Sequence, residues 1–135
     1  MAIPKILIEH SVFYTLITYE NIEMIILKGH LTLELLMSRI IPNKNVSFYG
    51  KSLIIQKIDE LEFEGSMLLE LNMIRNNLAH NYEFKLEESG IIEWSNKIIT
   101  KLEHTKFSRH TKKTKIAHAF SALALKICEY PVKYE

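Results

Sequence analysis

The chain carries little punctuation. Its 135 residues include only four glycines and three prolines. These are the residues that turn and break a backbone, so their scarcity leaves room for long elements with few tight turns. A β-sandwich of this length needs more turn residues, and helices are the reading that remains. A single cysteine, Cys128, excludes an internal disulfide and fits a reducing compartment. It sits on an apolar stripe near Leu125 and is expected to be a small buried hydrophobe. Long uncharged runs are missing too: the most apolar window, residues 22–36, contains Glu23, Lys28, His30 and Glu34, too many charges for a membrane span. Lys5 and Glu9 interrupt the first apolar residues, so no secretory leader pattern is legible. The expectation is a soluble, cytoplasmic protein without a membrane partner. Neither a phosphate-binding loop, a dinucleotide fingerprint nor a G-x-S-x-G nucleophile elbow occurs.

What is present suits one globular domain over residues 1–135. The apolar fraction of 47% and charged fraction of 24% are ordinary for such domains. Net charge is +1, but its distribution is uneven. Residues 58–74 hold five acids and no base, whereas residues 105–118 hold Lys106, Arg109, Lys112, Lys113 and Lys115 with no acid. That basic segment is a candidate for holding a nucleic-acid backbone, with Phe107 available to stack on a base. The plainer reading is a solvated loop.

Hydrophobic spacing gives an all-α, up-and-down bundle of about five or six helices. Residues 5–41 read as one bent helix or as two that meet near Glu20 and Asn21. In the run of residues 28–41, Leu31, Leu35 and Ile40 are expected to face inward with Glu34 beside them. Pro42 ends that run, and Ser47 is placed to cap a helix over about residues 49–61. A fourth helix opens at Gly65 and Ser66 and ends near His80. A polar turn over residues 87–90 leads to a fifth, residues 91–103, and a last helix spans residues 113–129 before Pro131.

The fourth helix contains the unusual chemistry, in LNMIRNNLAHNY, residues 71–82. Leu68, Leu71, Ile74 and Leu78 form its inward stripe at helical spacing. Asn72, Asn76 and His80 follow one another at intervals of four, with Arg75 between the stripes, so these four are expected on one flank. Asn and His lower helix propensity by a few tenths of a kcal/mol each, which a merely solvated face has no reason to accept. Arginine grips phosphate oxygens in a fork and keeps its charge. Imidazole moves a proton near neutral pH. RNA brings its own nucleophile, the 2′-hydroxyl, so the pair makes a minimal metal-free ribonuclease, with Asn76 orienting one member or the substrate. The bland alternative has Asn76 and Asn77 facing solvent and His80 closing the helix near its C-terminal carbonyls. His30 and Glu34 stand four apart as some metal ligands do, but no third ligand is suitably spaced, and neither metal nor cofactor is expected.

The segment RNNLAH has the form R-N-x-x-x-H and resembles the signature of the HEPN superfamily (higher eukaryotes and prokaryotes nucleotide-binding). GHLTLELLMSRII resembles the early helix of that family, with its acidic residue in a leucine-rich run. SFYGKSLIIQKIDEL resembles the short middle helix with its lysine, and LELNMIRNNLAHN resembles the motif helix, including Leu-Asn ahead of the arginine. The likeness covers about residues 22–82. It implies a helical bundle that forms homodimers and, in many members, a metal-independent endoribonuclease acting as a toxin or antiviral effector. Carried over, Arg75 contacts the scissile phosphate, His80 is general base or acid, Asn76 is the polar residue after the arginine, and Glu34 supports the arginine from a neighbouring helix. Tyr82 completes R-x4-H-x-Y, the form found in toxins whose nucleotidyltransferase antitoxin modifies that tyrosine with AMP. Other members of the family bind a nucleotide or a protein partner without catalysis. A purely structural helical dimer is the third possibility.

Overall fold

The computed structural model describes residues 5–80, 85–102 and 111–131. Their regular elements are all helices, with no strand among the described residues. The elements are α1 (Lys5–Ile17), α2 (Ile22–Ile40), α3 (Phe48–Gln56), α4 (Glu62–His80), α5 (Leu86–Ser89), α6 (Ile91–Leu102) and α7 (Lys112–Glu129), with a 3-10 turn at Asp59–Leu61 before α4. Seven helices thus stand among the described residues where five or six were expected. The additional one is the single turn α5, which overlaps the polar turn expected over residues 87–90. No helix of the described residues is long and apolar enough to cross a membrane.

Local chemistry accounts for the boundaries. The first long apolar stretch is two helices, because Asn21 is extended and its side-chain oxygen accepts from the Glu23 amide at 2.7 Å, capping α2. Ser47 does the same for α3 by accepting from Gly50 at 3.1 Å. That helix stops at Gln56, sooner than its apolar pattern suggested, and α4 starts at Glu62, ahead of Gly65. Thr111 caps α7 through the Thr114 amide.

α7 is the hub. It packs on α1, α6 and α2, and its Ala117, Phe120, Leu123, Ala124 and Ile127 are all fully buried. Gly29 lets α2 approach this hub: a Cβ there would stand 2.5 Å from the Phe120 ring. Phe13 of α1 stacks on His118 of α7 with centroids 3.9 Å apart. Trp94 of α6, also fully buried, donates its indole N–H to the Met67 carbonyl of α4 at 2.8 Å. Arg39 of α2 ends α7: one terminal nitrogen, Nη2, donates to the carbonyls of Ile127, Cys128 and Tyr130 at 2.9, 3.0 and 3.1 Å. Those carbonyls belong to the last turn and the cap, which have no intrahelical donor of their own.

α3 and α4 are pressed together at Gly65, where a Cβ would collide with the backbone of Gln56. α4 buries Leu68, Leu71, Ile74 and Leu78, the stripe read from the sequence. α2 departs from its reading. Leu31 and Leu35 are exposed, Leu35 by 68%, and Ile40 is half-buried; Ile25, Ile26, Leu33 and Met37 are buried instead. α2 is apolar on almost every side, so more than one stripe satisfies helical spacing, and α7 selected another. Cys128 is half-buried rather than sealed in the core, and burial together with Glu129 raises its thiol pKa against the opposing charge of Arg39.

Candidate functional site

α2 and α4 pack side by side, and between them opens a groove of about 310 Å³. Its lining is Met24, Leu27, Lys28, His30, Leu31 and Glu34 from α2, with Arg75 from α4. The placement follows from the helical wheel. Arg75 lies just beside the buried stripe of α4, so its Cβ leaves the core edge and its guanidinium reaches the neighbouring helix. Lys28, Leu31 and Glu34 recur at spacings of three on α2 and so share one side of it.

His30 is the most constrained polar group of this site. Its ring is buried and stacks on Phe48, centroids 3.8 Å apart and planes 21° apart. Nε2 meets the side-chain oxygen of Asn72 at 3.5 Å, the long limit of a hydrogen bond. Burial lowers the pKa of His30 below its ordinary 6.5; the Arg75 charge lowers it further, while the Asn72 contact and Glu34 oppose. The ring is therefore neutral at pH 7. A second polar path joins α3 to α2 behind Glu34. Buried Lys51 of α3 donates to Ser38 Oγ at 2.8 Å, and Ser38 donates to the Glu34 carbonyl at 2.9 Å. Lys51 thereby ties α3 to α2, away from the groove.

Arg75 and Glu34, expected to meet, line the same groove, and Asn72 joins them through His30. No ion pair closes between Glu34 and Arg75 within 4.0 Å, so among the described residues the guanidinium and the carboxylate stand beside each other with their polar atoms open. Asn76 and His80 do not join the groove lining; both are exposed, and His80 is the last residue of α4. Five residues of α-helix turn through about 140° beyond a full turn, which carries His80 round to the outward side with Met73. The single flank expected for all four residues is thus two: Asn72 and Arg75 toward α2, and Asn76 and His80 outward. Lys112, Lys113 and Lys115 open α7, where Lys112 and Lys115 border a separate 120 Å³ hollow with Ile92, Ser95, Asn96 and Ile116. Tyr82, Lys106, Phe107 and Arg109 lie outside the described residues. Among the described residues no three His, Cys, Asp or Glu side chains gather as a metal site.

In the sequence His30 stands out only by its spacing from Glu34, four residues on. Its partner Asn72 is 42 residues away, and a contact across two helices has no sequence spacing to reveal it.

Met24, Leu27, Leu31 and Leu35 of α2 are all exposed, the first three in the groove lining, and Met73 on the outward side of α4 is 66% exposed. The chain matches no protein-family model, and no curated protein or solved structure is significantly similar to it.

Proposed function

We propose that this chain is a HEPN-like, metal-independent endoribonuclease that acts as a homodimer, in the manner of toxins and phage-defence effectors. The observation that carries this reading is the Arg75 groove: an arginine held open next to an imidazole, with exposed leucines continuing along the same helix. A guanidinium without a carboxylate clamp is available to a phosphodiester and stabilises the charge that builds on its oxygens during cleavage. His80 serves as general base or acid. Asn76 lies on the same outward side and orients His80 or the RNA strand. A second copy laid over Leu31, Leu35 and Met73 would remove the apolar face from water and carry its own outward His80 toward the groove. The lysines that open α7 hold the RNA backbone beyond the cut. A nucleotidyltransferase-type antitoxin that adds AMP at Tyr82 would be the natural partner of such a toxin.

The deciding experiment is incubation of total cellular RNA with wild-type protein in EDTA, followed by mapping of new 2′,3′-cyclic phosphate ends. Cleavage is expected to persist in EDTA, and Arg75→Ala to lower it about 10²–10³-fold, the usual loss when one charge-stabilising donor is removed. Protein that yields no new ends under any condition refutes the nuclease reading. One observation favours a second reading, a non-catalytic module that binds a nucleotide: His80 stands outside the groove, while the cations Lys28 and Arg75 line it together with apolar Met24 and Leu27. That reading predicts nucleotide binding lost in Arg75→Ala and no cleavage by either protein.

A further inference from the structure

Cleavage of RNA through its own 2′-hydroxyl moves two protons. One leaves the attacking oxygen, and another arrives on the departing 5′-oxygen. An R-x4-H pattern brings a single imidazole, His80. The fold adds a second ring on the wall of the groove that Arg75 lines. His30 is held as a base must be held. Phe48 backs its face at 3.8 Å, and Asn72, one turn before Arg75 on α4, meets Nε2. Nδ1 has no hydrogen-bond partner among the described residues, which leaves one ring nitrogen for a substrate.

We infer that His30 is a second catalytic imidazole of this site, the base that takes the 2′-hydroxyl proton from an RNA strand whose phosphate Arg75 holds. The inference rests on the ribonuclease reading above and assigns His80 the acid role. The proton passes to the His30 nitrogen, and the freed 2′-oxygen pair forms the bond to phosphorus. The P–O5′ bond then breaks with its electrons on the 5′-oxygen, which takes a proton from His80 of the second copy. The products are a 2′,3′-cyclic phosphate and a 5′-hydroxyl, and exchange with water resets both rings. The surroundings suit the task. Arg75 from α4 and Lys28 from α2 face the groove as cations, Glu34 from α2 as an anion, and Lys51 from α3 is committed to Ser38. Burial keeps the free ring neutral, which is the form a base requires.

The test uses total cellular RNA, read by cyclic-phosphate end mapping across a pH series, with wild type, His30→Gln, His80→Ala and Arg75→Ala. His30→Gln is expected to slow cleavage about 10²–10⁴-fold and to abolish the acidic limb of the pH–rate profile. Retention of RNA on filters should stay within about threefold of wild type, since the substitution removes a proton acceptor rather than a phosphate contact. A folded His30→Gln protein that cleaves within about threefold of wild type overturns the inference and leaves the ribonuclease reading standing. Wild-type protein that yields no new ends overturns both. Should His30→Gln unfold, the ring is followed directly in wild type by histidine carbon NMR, with and without an oligodeoxyuridylate that cannot be cut. Bound phosphate is expected to raise the pKa of His30 by placing negative charge beside it. A titration curve unmoved at saturation overturns the inference.

Discussion

The buried imidazole of His30 makes stability depend on pH. His30 has a pKa below 6.5 in the folded state, whereas in the unfolded chain it titrates at its ordinary value. Below that value the unfolded state binds the extra proton and the folded state does not, so stability is full above it and falls as pH drops through the window beneath. Melting temperature is therefore expected to fall between pH 7.5 and pH 5.5, and His30→Gln to flatten that dependence, as differential scanning calorimetry will record. Asn72→Ala removes the partner that raises the His30 pKa, and NMR titration of the ring is expected to show it lower still. At Cys128 burial holds the thiol protonated, so alkylation should be slow in native protein and fast in guanidinium, a difference that a labelling time course reads directly.

Among the elements, the tightest meeting is α3 on α4. Gly65→Ala inserts a methyl against the Gln56 backbone, which cannot move aside as a side chain does. A loss of about 1–3 kcal/mol is expected for such overpacking, measured by urea denaturation. Trp94→Phe leaves the Met67 carbonyl without its indole donor and is expected to cost about 1–3 kcal/mol in the same assay. These positions also mark how far spacing and caps reach. Leu68, Leu71, Ile74 and Leu78 were legible because α4 carries polar residues on its other sides, so only one stripe fits a core. Ser47 was legible because a hydroxyl ahead of a helix has one main use. Leu31 and Leu35 were misread because α2 offers several apolar stripes, and only the position of Phe120 beside Gly29 chooses among them. That Glu34 lies near Arg75 was an expectation of the resemblance, and the two line one groove, whereas His30 against Asn72 and Phe48 is a tertiary contact that no local rule encodes. Asn72, Asn76 and His80 at intervals of four suggest one flank, but each step advances about 40° round the helix, so by His80 the side chain has turned outward.

For the molecule as a whole, the exposed leucines of α2 are the feature with the largest expected effect. A homodimer closed over Leu31, Leu35 and Met73 is expected to dissociate when Leu35 is replaced by Glu, because each subunit would bring a charge to the same symmetric patch. Light scattering coupled to gel filtration should give twice the 15.8 kDa chain mass for wild type and the single mass for Leu35→Glu. RNA cleavage should fall with the dimer, and a fully active Leu35→Glu monomer would exclude a site shared between subunits.

The Arg39 clamp has a consequence for how the chain is made. The guanidinium lies at the end of α2, but the three carbonyls it grips belong to residues 88 to 91 positions further along. On the ribosome, Arg39 is exposed to solvent long before its acceptors have been synthesised. The junction between the second helix and the last can form only after residues 127–130 have left the ribosome, and a nascent chain stalled before Tyr130 holds that end of α2 unlatched, within reach of proteases and chaperones.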